Sequence, residues 1–110
     1  MIKLTALLVA AATFLASAPS FADGTWAARH PRRDEVNDRL ANQHARISAG
    51  RRDGQLTPGQ AHRLRREDHT IRREERTMAA ANGGHITRGE QRVLNVQENQ
   101  VSRQIHRERR

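Results

Sequence analysis

The side chains best suited to chemistry in this 110-residue sequence are arginines, and five of them lie close together. A guanidinium group donates two parallel hydrogen bonds to a carboxylate or a phosphate, and it stays charged at any physiological pH. A helix face lined with such groups would therefore bind acidic proteins or polyanions. The arginines expected to make these contacts are Arg65, Arg66, Arg72, Arg73 and Arg76.

The same stretch also permits a purely structural interpretation. Carboxylates at positions 67, 68, 74 and 75 are interleaved with the arginines. Because opposite charges three or four residues apart are neighbours on a helix, these residues predict a solvated face whose charges pair with one another. Lys3 is the only lysine, so nearly all of the positive charge is arginine. Codon preference and an adhesive surface both explain this bias, and composition does not separate them.

Histidine is the other candidate for binding chemistry, through metal coordination. His62 and His69 are seven residues apart on one predicted helix, which separates them by about 10 Å along its axis, too far for one ion. The other four histidines fall in separate segments, at His30, His44, His85 and His106. The sequence therefore predicts no local metal site and no cofactor, and it leaves open a site assembled between helices or subunits.

No residue set for catalysis is recognisable. The chain has no cysteine, and Ser48 and Ser102 lie in predicted helices without a glycine-rich elbow. The carboxylates are interleaved with arginines at the spacing of helix ion pairs. The sequence predicts a protein that is not an enzyme.

Two glycine-containing loops look like degenerate EF-hand calcium loops. Gly54 and Gly84 are each followed two residues later by an aliphatic residue, and six residues later by Gln60 or Glu90. The oxygen ligands that should precede the glycine are missing, and one carboxylate per loop cannot hold calcium. The sequence therefore predicts no calcium binding.

Residues 1–22 have the pattern of an export signal that is removed. Lys3 supplies the positive charge, residues 4–15 form an apolar run, and Ser20 and Ala22 are the small residues that a signal peptidase recognises. Cleavage after Ala22 predicts a periplasmic or secreted protein. The apolar run is shorter than the roughly 20 residues that span a bilayer, so no stable membrane anchor is expected.

The elements that must position the charged side chains are predicted to be helices. Residues 23–33 have no apolar period and carry Gly24 and Pro31, which predicts a flexible arm. From Asp34, a suitable N-cap, apolar residues recur at helical spacing. The sequence thus predicts an all-α fold, with three antiparallel helices forming a helical domain over residues 34–110. The helices are predicted over about 34–49, 58–81 and 88–107, separated by glycines at 50–54 and 83–84.

Two segments of the helical domain look like copies of one unit at a constant offset of 30 residues. In each copy an aliphatic residue precedes a threonine N-cap, and a Gln or Glu three residues after the threonine can complete a capping box. This predicts two helix-turn-helix repeats over about residues 46–75 and 76–105. The motif residues are Leu56, Thr57 and Gln60 in the first copy and Ile86, Thr87 and Glu90 in the second.

The first of these motifs resembles a known one. Residues 56–60, Leu-Thr-Pro-Gly-Gln, resemble the L-T-x-x-Q motif of the Spy/CpxP family of periplasmic stress proteins, and residues 86–90, Ile-Thr-Arg-Gly-Glu, resemble a relaxed second copy. Members of that family are small, exported, cysteine-free, all-helical proteins. The resemblance implies a dimer with a basic concave face and an ATP-independent chaperone activity towards unfolded chains.

The sequence offers few residues for a hydrophobic core. After residue 22 it contains only 14 apolar residues larger than alanine. With so narrow an apolar stripe on each helix, a closed single-chain bundle would be poorly filled, so a homodimer or a partner is expected. The 14 residues are Trp26, Val36, Leu40, Ile47, Leu56, Leu64, Ile71, Met78, Ile86, Val93, Leu94, Val96, Val101 and Ile105.

These patterns predict an exported binding protein. The leading expectation is a chaperone-like envelope-stress protein that holds unfolded or acidic clients on the arginine-rich face. The alternative is a protein that binds a polyanion, such as lipopolysaccharide or nucleic acid, or that responds to a transition metal. A net charge of +8 favours an acidic partner of either kind, whereas a single Trp and no Tyr leave little to stack on bases.

Overall fold

The computed structural model describes residues 25–109. Three long helices account for most of this range and it contains no β-strand, which confirms an all-α fold. None of the described helices has the length and apolar composition needed to cross a membrane. The predicted signal peptide, residues 1–22, lies outside the described residues. The long helices are α1 (Pro31–Arg52), α2 (Pro58–Ala81) and α3 (Arg88–Glu108).

The starts of α2 and α3 have the same local structure. Thr57 and Thr87 are N-caps with extended backbone, at φ/ψ of −74°/161° and −77°/167°. Each threonine hydroxyl accepts from the backbone N–H of Gln60 or Glu90, and the side chain of that residue accepts from the threonine N–H, at 2.9 to 3.1 Å. These capping boxes satisfy backbone groups that a helix start leaves unpaired. The observed bounds of α2 are the predicted ones.

α1 is longer at both ends than the sequence predicts. It begins at Pro31, because proline suits the first turn of a helix, and Asp34 lies within that turn instead of capping it. It also continues through Gly50, where a Cβ would stand 2.7 Å from Cδ1 of Leu56. Gly50 is therefore required for close packing and does not break the helix. The chain turns at Gly54, whose φ of +77° lies in the left-handed region.

Within the predicted flexible arm, residues 23–33, every described residue except His30 is helical. Residues 25–29 are helical, and α1 starts shortly afterwards. The rings of Trp26 and His30 stack with centroids 4.6 Å apart, and the backbone N–H of His30 donates to the Trp26 carbonyl at 2.9 Å. This contact between residues four apart supports a helical turn that hydrophobic periodicity does not reveal.

From residue 32 onward the chain forms one compact unit in which the three helices run antiparallel. Arginines connect each loop to the helix that does not adjoin it in sequence. Arg33, near the start of α1, donates to the carbonyl of Gly84 in the α2–α3 loop at 3.1 Å. Arg109, after α3, donates to Oε1 of Gln55 in the α1–α2 loop at 2.7 Å. α1 and α3 therefore run in the same direction, and α2 runs opposite to both.

The core contains polar as well as apolar side chains. On α2 and α3 the buried positions follow a spacing of four, three and four residues, from Leu64 to Glu75 and from Leu94 to Ile105. Gln43, Asp68, Glu75 and Glu98 are all 3% exposed or less. The buried apolar residues are Val36, Leu40, Ile47, Leu56, Ala61, Leu64, Ile71, Ala79, Ile86, Leu94, Val101 and Ile105.

Polar residues thus occupy the positions that a sparse apolar stripe would leave empty. The expected poorly filled bundle is not observed, since helical spacing is completed within one chain by carboxyl and amide groups. Of the 14 large apolar residues, Trp26, Val93 and Val96 are exposed. The predicted homodimer is therefore not required to fill the interior, and it stays a prediction.

Candidate anion-binding surface

Many arginines of the described chain hold the fold together. Arg33 forms an ion pair with Glu75, whose side chain is only 1% exposed. Arg46 of α1 donates to Oγ of Ser102 on α3 at 2.8 Å. Such arginines join helices and loops by donating to carboxylate, amide, hydroxyl or carbonyl oxygens. Their guanidinium groups therefore already have partners within the chain. These arginines are Arg32, Arg33, Arg39, Arg46, Arg51, Arg63 and Arg109.

The arginines that the sequence predicts as binding residues behave differently. Arg65, Arg66, Arg72 and Arg76 have no hydrogen-bond or ion-pair partner among the described residues. Arg73 reaches only the hydroxyl of Thr70, at 3.4 Å. α2 therefore carries a set of cationic groups that the fold does not use.

The predicted pairing of charges along residues 65–76 is wrong. Asp68 and Glu75, which stand three residues after an arginine, are 2% and 1% exposed and belong to the core. Glu67 and Glu74 lie on the side of α2 that faces α3. Because successive residues are about 100° apart around a helix, charges that alternate along the sequence are separated onto different faces.

The five predicted arginines do not form a single site. Arg72 and Arg76 line a groove between α1 and α2, and Arg65 lies beside it. Arg66 and Arg73 are exposed on the outer side of α2. The structure therefore brings three of the five together and leaves two on a separate face.

The groove between α1 and α2 has a volume of about 230 Å³. Two histidines meet across it, with His44 coming from α1 and His69 from α2. Their ring centroids are 6.0 Å apart and the rings are nearly perpendicular, at 81°. The groove is thus a place where cationic and imidazole groups from two helices converge. Its lining residues are Leu40, His44, Asp68, His69, Arg72 and Arg76.

The electrostatics of the groove favour negative charge. Burial lowers the pKa of His44, and the neighbouring charges of His69, Arg65 and Arg72 lower it further. A neutral imidazole still offers one N–H donor, and the arginines stay charged at any physiological pH. A cation in this groove would be repelled, whereas an anion would find donors on both walls.

The two histidines do not make a metal site by themselves. Within residues 25–109, no three side chains of histidine, aspartate or glutamate are grouped so that they could hold one ion. Arg65 and Arg72 also act on this part of the groove with positive charge. The metal site between helices that the sequence leaves open gains no support from the described side chains.

Asp68 lines the buried side of the groove. Neither of its carboxylate oxygens has a hydrogen-bond partner among the described residues. Burial raises the pKa of Asp68 to about 7, and the neighbouring charge of Glu67 adds to the effect. Near neutral pH, Asp68 is therefore divided between an ionised form and a protonated form that can donate a hydrogen bond.

Glu98 is the counterpart of Asp68 on α3, at the same offset of 30 residues, and its side chain is fully buried. Burial raises the pKa of Glu98 to about 8, although Arg39, whose Nε lies 3.6 Å from Oε1 of Glu98, opposes the shift. Gln43 donates to the backbone carbonyl of Glu98 at 2.7 Å. Like Asp68, Glu98 has no hydrogen-bond partner for either carboxylate oxygen, but α1 places the charge of Arg39 near it.

A second groove, of about 300 Å³, lies between α2 and α3 and has different chemistry. α2 contributes two glutamates and a threonine, and α3 contributes three glutamines at the equivalent repeat positions. No arginine lines this groove. The two sides of α2 are therefore chemically distinct, one basic and one acidic to neutral. The polar lining consists of Glu67, Thr70, Glu74, Gln97, Gln100 and Gln104.

Sequence reasoning missed His44, Asp68 and Glu98 as members of a polar site. The signal for the two carboxyls is present, because both fall within the spacing of buried positions and are related by the repeat offset. No local signal pairs His44 with His69, since that contact depends on how α1 packs. The repeat-motif residues are structural, with Leu56 and Ile86 buried at 1% and 2% exposure, and none of them lines the α1–α2 groove.

No family model, curated protein or solved structure matches the chain. The resemblances to the Spy/CpxP family and to EF-hand loops therefore stay predictions from sequence. The function has to be argued from the geometry and charge of the described residues.

Proposed function

We propose that this chain is an exported binding protein that holds acidic segments of unfolded client proteins, without ATP, through the α2 arginines at positions 65, 66, 72, 73 and 76. The observation that carries the proposal is the set of arginines on α2 without partners among the described residues, whereas most arginines of α1 bind other parts of the fold. An arginine that makes no contact in the folded protein is free to bind a carboxylate of a partner.

The kind of client follows from what the surface lacks. Among the described residues the large apolar side chains that are exposed are Trp26, Val93 and Val96, and none of them lies on α2. A surface of this composition would hold a client through charge rather than through apolar contact. Acidic clients are therefore preferred, and binding should weaken with salt because exposed charges are screened.

The proposed location is the periplasm or the exterior of the cell, with cleavage after Ala22. This part of the proposal is supported by the sequence pattern of residues 1–22. A homodimer would double the number of available arginines, and it belongs to the proposal as an expectation.

The direct test is suppression of aggregation of an unfolded client. The cleaved protein should keep an acidic client soluble at equimolar ratio without ATP, and should act less on a basic client. The variant R66Q/R72Q/R73Q should lose most of this activity. The matched control is R88Q/R92Q/R103Q, which removes three arginines of α3 that also have no partner among the described residues.

Two results would contradict the proposal. One is failure to suppress aggregation at both low and physiological salt. The other is an equal loss of activity in both triple variants, which would mean that net charge alone is responsible and that the face of α2 has no special role.

A second candidate function is binding of a phosphate-bearing polyanion. The observation that favours it is the α1–α2 groove, where arginines and histidines of two helices converge. Retardation of lipopolysaccharide or DNA by the protein, measured across a salt series, would distinguish this candidate from binding to acidic proteins.

A further inference from the structure

We infer that the groove between α1 and α2 is a site for a tetrahedral oxyanion, and that its ligand is a phosphate group with unesterified oxygens. The inference rests on the proposed function, because Arg72 and Arg76 of the groove are among the arginines proposed to bind partners, but it adds a defined pocket and a ligand chemistry. The ligand would lie between His44 of α1 and the row formed by His69, Arg72 and Arg76 of α2.

The first argument is the number and placement of donors. Arg72 and Arg76 are one helical turn apart on the same wall, and neither has a partner among the described residues. His44 stands on the opposite wall, with its ring centroid 6.0 Å from that of His69. Donors on two walls suit a tetrahedral anion, whose oxygens point in several directions, better than a planar carboxylate.

The second argument is the buried carboxyl of Asp68. Its side chain is 2% exposed, lines the groove, and has no hydrogen-bond partner for either oxygen. A buried polar group without a partner costs free energy, which a ligand that pairs with it recovers. A protonated Asp68 would donate to a phosphate oxygen as a fifth donor beside the two arginines and two histidines.

The third argument is an internal comparison between equivalent positions of the two repeats. On α3 the positions equivalent to His69 and Arg72 are Asn99 and Ser102, and α1 arginines donate to both. On α2 the equivalent positions carry His69 and Arg72, and no α1 side chain hydrogen-bonds to either among the described residues. An anion from outside the chain would supply the acceptor that Arg72 lacks.

The site should respond to pH through its titratable groups. His44 faces it from α1, and His69 and Asp68 face it from α2, with Arg65, Arg72 and Arg76 as fixed charges. Glu67 lies beside Asp68, and the charge of Asp68 acts in turn on Glu98 of α3. Protonation of Asp68 or of a histidine adds positive charge or a donor, so anion binding should tighten as the pH falls.

The test uses sulfate and inorganic phosphate as probes, with calorimetry and the imidazole signals of His44 and His69 in NMR spectra. Sulfate is the sharper probe, because its charge stays constant between pH 5.5 and 8.5 whereas phosphate itself titrates. We expect saturable binding at low ionic strength, with the shifts of His44 and His69 exceeding those of His62 and His106. The absence of saturable binding of both probes would overturn the inference.

A matched pair of variants separates a pocket from diffuse attraction. R72Q/R76Q should weaken sulfate and phosphate binding by about tenfold or more, the loss expected for charged hydrogen bonds. R66Q/R73Q removes the same charge from the outer side of α2 and should change binding by less than about twofold. An equal loss in both variants would overturn the groove while leaving the proposed function intact. Loss of client binding with intact sulfate binding would instead contradict the proposed function.

Asp68 has its own test. The variant D68N keeps the shape and a donor but removes the negative charge, so it should bind sulfate several-fold more tightly than the unaltered chain at pH 8.5. The two should bind alike at pH 5.5, where Asp68 is protonated. A D68N variant that binds sulfate no better at pH 8.5 would show that Asp68 does not face the ligand.

The source of the phosphate is distinguished by a comparison of free and lipid-borne groups. Phosphatidylcholine vesicles doped with phosphatidic acid present phosphate monoesters at a surface. Loss of vesicle binding in R72Q/R76Q but not in R66Q/R73Q would assign the groove to a lipid headgroup. Equal loss in both, with free phosphate still sensitive to the groove variant alone, would assign the groove to a soluble phosphate.

Discussion

α1 packs against two helices that repeat each other, and its contacts with them are opposite in character. Towards α3, Arg46 donates to Ser102, and Gln43 donates to the backbone carbonyl of Glu98. Towards the middle of α2, α1 offers His44 to a wall that already carries His69 and Arg72. α1 thus donates hydrogen bonds to α3, whereas it donates none to His69 or Arg72 of α2 among the described residues. On both sides a buried carboxyl, that of Glu98 or of Asp68, has no hydrogen-bond partner.

This difference shows how a repeat can produce a site without a specialised loop or motif. Equivalent backbone positions of α2 and α3 face the same helix, so the geometry of the two sides is similar. Asn99 and Ser102 of α3 accept hydrogen bonds from arginines of α1, and these contacts stabilise the fold. His69 and Arg72, at the equivalent positions of α2, receive no such bond and line a groove instead. The proposed binding site lies where one of two equivalent contacts is not made.

The largest expected effect on stability comes from the ion pair between Arg33 of α1 and Glu75 of α2. R33Q removes the partner of Glu75, which is 1% exposed. An uncompensated buried carboxylate should lower the free energy of unfolding by about 3–5 kcal/mol, measured by chemical denaturation. R73Q, at an exposed position, should change it by about 0.5 kcal/mol or less. Recovery of stability in R33Q/E75Q would show that burial of the unpaired charge causes the loss.

The next largest effect is the dependence of the free energy of unfolding on pH, to which the buried carboxyls of Asp68 and Glu98 both contribute. Burial raises the pKa of Asp68 to about 7 and that of Glu98 to about 8, so the folded state holds protons that the unfolded state has released. The two carboxyls therefore contribute most stability below about pH 4, and their contribution should fall by a few kcal/mol as the pH rises from there to about 8.5. The lowered pKa of His44 acts in the opposite sense and only below about pH 6.5.

The matching control for the pH effect is D68N/E98Q. This variant should be more stable than the unaltered chain at pH 8.5 and should lose most of the decline between pH 5 and 8.5, as followed by thermal melting. Stability that rises over this interval in the unaltered chain would contradict the assignment of the two carboxyls as buried and uncompensated.

A smaller effect on the free energy of unfolding distinguishes the α1–α3 contact from the α1–α2 groove. R46Q removes donors that reach the hydroxyl and the carbonyl oxygen of Ser102, at 2.8 and 3.2 Å, and should cost about 1–2 kcal/mol. R72Q, without a partner, should cost less than about 0.5 kcal/mol in the absence of ligand. Equal losses of stability in urea titrations would mean that Arg72 contributes as much to the fold as Arg46 does, which contradicts the difference between the two sides of α1.

The smallest effect tests whether the repeats are equivalent at their starts. T57A and T87A each remove one half of a capping box and should each cost about 1 kcal/mol. The losses should be equal within error and additive in the double variant, since the two caps share no partner. Thermal melting of the three variants measures both points.

The sequence predicts the helices where local chemistry defines them. Thr57, Pro58 and Thr87 mark the starts of α2 and α3, because a cap depends on residues within one turn. The sequence predicts the start of α1 three residues late, because Pro31 follows a segment without apolar periodicity. It also predicts a break at Gly50, because the close approach of Leu56 that requires a glycine depends on how the loop folds back.

The site is less predictable than the fold for a related reason. Arg65 to Arg76 were identified as candidates from residue type alone, but which of them share a groove depends on the position of α1. The interpretation of Asp68 and Glu75 as surface partners failed because charged residues are assumed to be solvated. In this chain the scarcity of large apolar residues places carboxyls at core positions.

Contacts at the α1–α2 turn also bear on the order in which the chain folds. Leu56 packs on Gly50 and the capping boxes join residues three apart, so these contacts close very short loops. The bonds from Arg46 to Ser102 and from Gln43 to Glu98 span more than fifty residues. Because closing a long loop costs more entropy, the two turns should form first and the contacts between α1 and α3 should form late. Variants at Gly50 should then slow folding, whereas R46Q should mainly speed unfolding.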